Sequence, residues 1–348
     1  MEVYRFTEAS VSHVGRGIGN QDASRVEHHG QHCLAFLADG MGSARLGAMA
    51  AEIAVDVGLD MAKRAFVPQL EIDDESGRCA VEAAFSSAYN AIQRAAEDEQ
   101  DLNSLLTTFM AVYYNERTGC LHFGYCGDGG LVTLGDDGRV RLAATPHKGQ
   151  TAFQTTSLLD FPSWTFGTVE RVRAWVMLTD GLFDALCPQG ALPVGDRREE
   201  ALMGLFEATR HMDDPRMRPY LDASFSPSEP SPDDFGELFD AVADDRSIVV
   251  VRGSDAAFSE RVAGSAFAAR DDAGANATRV MTPAFEGPLP EAAGAFAAGG
   301  LPCDGGPLLE TLPPEEAGRV LTVIEARKSA RCRARRFPRA KGTGYAYV

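Results

Sequence analysis

The chain lacks the marks of a disulfide scaffold: its seven cysteines, at 33, 79, 120, 126, 187, 303 and 332, stand singly with no C-x-x-C pair. Single scattered thiols fit a reducing compartment. It also lacks a run of roughly 18 apolar residues, the length a membrane helix needs. MEVYRFTEAS at the N-terminus has neither the basic nor the apolar segment of a leader. Cytoplasm is therefore the expected location, with no membrane partner. His28, His29 and His32 have no zinc-type spacing and are expected in a solvated turn. Basic side chains are scarce, 33 against 50 acidic ones, for a net charge of −17. Such a chain repels nucleic acid and anionic lipid. An anionic substrate would need local cations, either Arg and Lys or bound metal, and metal fits better. No internal repeat is evident.

What is there is enough for a sizeable core: 348 residues, 45% hydrophobic and 24% charged, expected as one large domain plus an appendage. Strand-like runs cover Val3 to Thr7 and Cys33 to Ala38, the second stopping at Asp39-Gly40. Helical spacing of small and apolar residues follows over Ala44 to Phe66 and again over Cys79 to Ala96. Thr107 to Tyr114, Cys120 to Tyr125, Gly130 to Leu134 and Val140 to Ala144 then read as an antiparallel meander. Arg173 to Thr179 is a strand ending at Asp180-Gly181, Glu199 to Thr209 is helix-like, and Ser247 to Arg252 is a last strand behind Asp244-Asp245. Strands grouped with strands, and helices between the groups, predict a layered α+β sandwich rather than a βαβ repeat. Residues 1–255 form the expected domain. Residues 256–316 are rich in Ala, Gly and Pro, and 327–341 are strongly basic, so 256–348 is expected to be a poorly ordered tail. Deleting 260–348 is expected to leave catalysis intact.

The informative pattern is the repeated delivery of an aspartate at or near the end of an apolar run: Asp39 in FLADGMG, Asp128 in YCGDGG, Asp180 in MLTDGLFD. Asp22 in GNQDA and the Asp244-Asp245 pair before SIVVVR complete it. Any single Asp-Gly is ordinary turn chemistry. Several carboxylates at strand ends can instead converge on one edge of a sandwich as hard oxygen ligands for Mg²⁺ or Mn²⁺.

In order and spacing these motifs resemble the PPM-type, or protein phosphatase 2C, family, and its bacterial branch in particular. The resemblance is carried by Ser12-His13, Gly17 and Gln21-Asp22-Ala23, by DGMGS after Leu34 to Ala38, and by Thr107-Thr108. Gly127-Asp128-Gly129, LTDGLFD at Leu178 to Asp184, and Asp244-Asp245-Arg246-Ser247 complete it, over about residues 5–253. It implies a four-layer αββα sandwich of two antiparallel sheets flanked by helices, with a metal centre at one end. It further implies a protein serine/threonine phosphatase that hydrolyses phosphoserine and phosphothreonine with a water activated between two divalent cations. Asp39 would bridge both ions, Asp180 and Asp244 would bind one, the Gly40 carbonyl would bind the other, and Asp22 would act near that second ion through water. Asp245, where relatives have Asn, is a fallback ligand. A third ion would use Asp101 or Asp128. Arg16 is the nearest match to the family's phosphate-binding arginine, displaced by about one position. The expected partners are a phosphorylated protein and a partner Ser/Thr kinase, and the expected state is a monomer.

The chain departs from the pattern at Gln21, where many relatives have Glu, and at Met41, where eukaryotic members carry a histidine proposed as general acid. His13 is open to a phosphate contact or a structural hydrogen bond, and Cys126 and Cys187 read as core residues. Two other functions stay open: a catalytically weak module that holds a phosphoprotein, and hydrolysis of a small phosphoester.

Overall fold

The fold is described from a computed structural model, for residues 1–66, 73–96, 99–144, 146, 155–160, 163–192, 197–228, 235–268 and 280–281. These residues all fall in one unit, Met1–Pro283. The chain opens with β1 (Glu2–Glu8), a short helix α1 (Val11–Arg16), and the hairpin of β2 (Asp22–His29) and β3 (His32–Asp39). Helices α2 (Gly47–Phe66), α3 (Asp74–Ala95) and α4 (Glu99–Leu102) follow. Next come β4 (Phe109–Asn115), β5 (Cys120–Cys126), β6 (Gly130–Gly135), β7 (Val140–Ala144), β8 (Thr165–Val169) and β9 (Val172–Leu178). The described elements end with α5 (Asp180–Leu186), α6 (Arg197–Arg210), α7 (Met217–Phe225), β10 (Arg246–Arg252), α8 (Asp255–Ala268) and the two-residue β11 (Val280–Met281).

The strands form two antiparallel sheets, in the orders β1-β10-β9-β6-β7 and β11-β8-β5-β4-β3-β2. Along β3, Cys33, Ala35 and Leu37 meet the facing sheet, while Leu34, Phe36 and Ala38 pack with residues of α2 and α3. A strand covered on both faces has to be apolar throughout, which is why CLAFLA shows no alternation. Across the sandwich, Val249 and Val251 of β10 face inward, and Ile248 and Val250 pack with Leu182, Leu202 and Phe225 of α5, α6 and α7. The layers are thus helix, sheet, sheet, helix, the αββα architecture expected.

The four-strand meander does not form. β4 and β5 pair in one sheet, whereas β6 and β7 pair in the other. The chain changes sheets at Gly127-Asp128-Gly129. Gly127 has φ +129°, and a Cβ there would stand 2.6 Å from Thr108 Cβ, so only glycine makes this crossing. β2, β8, β11, α1, α4, α5, α7 and α8 have no counterpart in the sequence reading. His28 and His29 are exposed but stand on β2 rather than in a turn, and His32 lies on β3, where its Nδ1 is 2.9 Å from the Tyr113 hydroxyl. Tertiary contact, not turn chemistry, sets its place.

Packing continues past residue 255. On α8, Arg261 pairs with Asp136 at 2.8 Å, with side chains only 9% and 4% exposed, and donates to the Val172 carbonyl at 3.1 Å. The remainder of the 256–348 segment, including the basic run 327–341, lies outside the described residues apart from 280–281. No helix among the described residues is long and apolar enough to cross a membrane.

Candidate metal centre

Asp22 and Asp39 stand directly opposite one another, because the β2–β3 register pairs the first residue of one strand with the last of the other. The Asp39 backbone is locked by the two threonines just ahead of β4. Its N–H donates to Thr108 Oγ1 at 2.9 Å, and its carbonyl accepts from Thr108 N at 2.9 Å and Thr107 Oγ1 at 2.8 Å. Gly40 follows, at a place where a Cβ would come within 2.3 Å of the Gly47 carbonyl carbon. The backbone can approach the start of α2 only because no side chain intervenes.

Asp180 begins α5 after the N-cap Thr179. That threonine does not cap its own helix. Its hydroxyl donates to Asp22 Oδ2 at 3.0 Å and accepts from Ser247 N at 3.1 Å, joining β2, β9 and β10 beneath the site. Asp244 is exposed just ahead of β10, with its Oδ1 accepting from Asp245 N at 2.9 Å.

A cleft of about 320 Å³ collects these groups: Asp39, Gly40, Asp128, Asp180 and Asp244 line it, together with Gln21, Met41 and Thr108. Asp22 lies beneath them, 6% exposed. Its Oδ1 and that of Asp180 are buried without a hydrogen-bond partner in the protein. Burial and then its carboxylate neighbours push Asp22 up to about 8 and Asp180 up to about 7. Asp39 is driven upward too, by burial and by Asp22, Asp180 and Asp244. Orphaned carboxylate oxygens crowded against like charges, with a glycine carbonyl beside them, are the donor set of a hard divalent cation. The residues fit Mg²⁺ or Mn²⁺.

Asp245 is held differently. Its Oδ1 accepts from Ser10 N at 2.7 Å and lies 2.8 Å from His13 Nδ1, and its Oδ2 accepts from Gln21 N at 2.7 Å. His13, Asp244 and Asp245 bring one ligand atom each within 4.8 Å of one another. Because both Asp245 oxygens and His13 Nδ1 are already hydrogen-bonded, this cluster reads as a brace for Asp244. His13 has the structural bond that was one of its two expected roles.

Asp128 lines the cleft at the sheet crossing and accepts from Thr155 Oγ1. Asp101 sits on α4 and bonds Arg45 at 3.3 Å. Arg16, on exposed α1, lines a neighbouring cleft that shares His13, Asp180 and Asp244 with the first. Cys126 and Cys187 are buried, and burial raises both thiols, Cys187 to about 12, so neither is a nucleophile. The sequence reading missed Ser10 and Thr179. Thr179 had a signal, a threonine at the cap position of LTDG; Ser10 acts through its backbone and had none.

The family model for protein phosphatase 2C matches residues 10–225. Among solved structures the chain is similar to the S. agalactiae serine/threonine phosphatase, at 17% identity and a TM-score of 0.51, covering 73% of this chain and 99% of that one. It is also similar to the catalytic domain of the phosphatase PstP in complex with two manganese ions, at 20% identity, TM-score 0.47, and 71% and 96% coverage. A third is Stp1 from Staphylococcus aureus, at 14% identity, TM-score 0.49, and 72% and 95% coverage. No curated protein matches.

Proposed function

Since the chain belongs to the protein phosphatase 2C family, we propose that it hydrolyses phosphoserine and phosphothreonine esters in proteins, using two Mn²⁺ or Mg²⁺ ions. Asp39, Asp180, Asp244 and the Gly40 carbonyl would hold the ions, with Asp22 beside them. The observation that carries this reading is the pair of buried, unpartnered carboxylate oxygens of Asp22 and Asp180 in one crowded group of acids. When bound, the cations supply activation of a water for in-line attack on phosphorus and neutralise the phosphate charge.

The rest is done by the chain. Thr107 and Thr108 hold the Asp39 backbone, which fixes the point on the strand end from which its carboxylate projects. Thr179 binds one Asp22 oxygen and leaves the other buried without a hydrogen-bond partner. The Ser10, His13 and Gln21 contacts fix Asp245, whose N–H orients Asp244. Preorganised groups of this kind need no rearrangement when the substrate arrives.

Hydrolysis of p-nitrophenyl phosphate and a phosphothreonine peptide with Mn²⁺, Mg²⁺ or EDTA tests the proposal. Turnover that needs metal and vanishes in Asp39→Asn and Asp180→Asn is expected, with the peptide preferred over the small ester. Folded protein that binds the phosphopeptide but turns over neither substrate would point to a binding module instead.

A further inference from the structure

His13 stands where two clefts meet. It lines the cleft of the acids and also a neighbouring one of about 600 Å³, and only Asp180 and Asp244 are likewise common to both. A phosphate held among the acids would occupy the first cleft. The second, lined in part by Ala185, Leu238, Ala241, Val242 and Ala243, adjoins it as room for the peptide that carries the phosphate. The ester bond to be broken would then cross the junction, beside His13.

The imidazole is fixed from behind. His13 is 9% exposed, and its Nδ1 lies 2.8 Å from Oδ1 of buried Asp245. Both oxygens of that carboxylate accept backbone N–H groups, from Ser10 and from Gln21. The hydrogen of the His13 contact therefore sits on Nδ1, and Nε2 is the nitrogen left for other work. Nε2 has no hydrogen-bond partner among the described residues, and it is not one of their buried unpartnered atoms. In a ring that is otherwise buried and that lines both clefts, this nitrogen opens into them.

Seryl and threonyl oxygens leave as strongly basic alkoxides unless a proton reaches them as the P–O bond breaks. Imidazole is the side chain that exchanges a proton near neutral pH, and His13 is the one imidazole among the described residues lining the acid cleft, which has no Lys, Arg, Cys or Tyr. We propose that His13 is a catalytic residue, the proton donor to the leaving seryl or threonyl oxygen. As the attacking water bonds to phosphorus, the P–O bond to the side chain breaks and its electron pair stays on the departing oxygen. The Nε2 proton moves to that oxygen and gives the alcohol. The ring, still donating through Nδ1 to Asp245, regains a proton through solvent, balancing the one the water gave up. This rests on the phosphatase reading above.

The test compares the full chain and its variants, with Mn²⁺, on p-nitrophenyl phosphate, phenyl phosphate and a phosphothreonine peptide. Nitrophenolate leaves without a proton, phenolate less readily, and threonine needs one. His13→Asn keeps an amide donor toward Asp245 and removes the distal nitrogen. It should lower kcat/KM about a hundredfold more on the peptide than on p-nitrophenyl phosphate, with phenyl phosphate between them. A lost brace or partial unfolding scales all three alike, so a merely structural role leaves the ratios unchanged. Equal losses on all three, or on the two aryl esters, overturn the proposal while the metal-dependent turnover of the wild type keeps the phosphatase reading standing. In wild-type protein with Mg²⁺, a long-range ¹H–¹⁵N spectrum should show the hydrogen on Nδ1 and a shift of the Nε2 resonance on adding inorganic phosphate; an Nε2 unmoved by saturating phosphate also overturns it. Folded wild type that hydrolyses none of the three brings down both readings together.

Discussion

His13 Nδ1 and Asp245 Oδ1 lie 2.8 Å apart in a buried contact that ties α1 to the residue beside Asp244. Asp245→Asn would turn an amide NH₂ toward the N–H of Gln21 or Ser10, leaving a buried donor without an acceptor. The variant should lose about 1–3 kcal/mol of unfolding free energy, read by urea denaturation with Mn²⁺ present. It should also keep more hydrolytic activity than Asp244→Asn. The reverse order of activities would make Asp245 a ligand in its own right.

The crowded acids make stability depend on pH when metal is removed. Asp22 is raised to about 8 and Asp180 to about 7, against about 4 for an unfolded aspartate. With the folded values the higher ones, these groups cost nothing below pH ~4; their ionisation penalty grows as pH rises and is complete above ~8. EDTA-treated protein should therefore melt at progressively lower temperature from pH 5 to 8. Mn²⁺ should raise the Tm more at pH 8 than at pH 6. A flat metal-free profile with equal Mn²⁺ shifts would contradict this.

Neutralising one of these acids should separate stability from activity. Asp180→Asn removes a buried charge that Asp128 and Asp244 oppose and that itself pushes Asp39 upward. At pH 8 without metal it is expected to melt above the wild type, while losing about a hundredfold or more in turnover. A variant less stable than the wild type under those conditions would mean that the carboxylates do not repel one another.

Gly40 can be tested by sterics alone. Gly40→Ala puts a Cβ 2.3 Å from the Gly47 carbonyl carbon, backbone against backbone, whereas at Gly42 the nearest atom is Gln21 Oε1 at 3.9 Å. The first should cost about 1–3 kcal/mol or more and most of the activity; the second should melt within a degree or two of wild type. Equal melting temperatures would show that the start of α2 yields.

The C-terminal boundary is set by Arg261. A chain ending at 283, past β11, should keep the melting temperature and activity of the full protein. One ending at 254 strands buried Asp136 without its cation, at a cost of about 3–5 kcal/mol. Indistinguishable melting of the two truncations would place α8 outside the folding unit. This moves the tolerated cut beyond residue 260, because a deletion beginning there removes Arg261 itself.

Strands buried on both faces were legible because continuous apolar runs such as CLAFLA and SIVVV have few alternatives. Polar β2, with the sequence DASRVEHH, was not, because an edge strand next to the site carries no apolar pattern. The meander failed for a related reason. Local spacing gives the lengths of β4 to β7, but it does not say which side of the sandwich a strand joins after Gly127.

By itself, the sequence determined that Asp39 and Asp180 would close apolar strands, and that Asp244 would stand just ahead of another. Hydrophobic runs and Asp-Gly pairs are local signals. Only the tertiary structure decided that Asp22 is pinned by Thr179, that Asp245 is a brace held from Ser10, His13 and Gln21, and that Asp22 and Asp180 keep buried oxygens without partners. Those outcomes depend on burial and on hydrogen bonds between residues more than 150 apart in the chain, and neither is encoded in any short stretch of it.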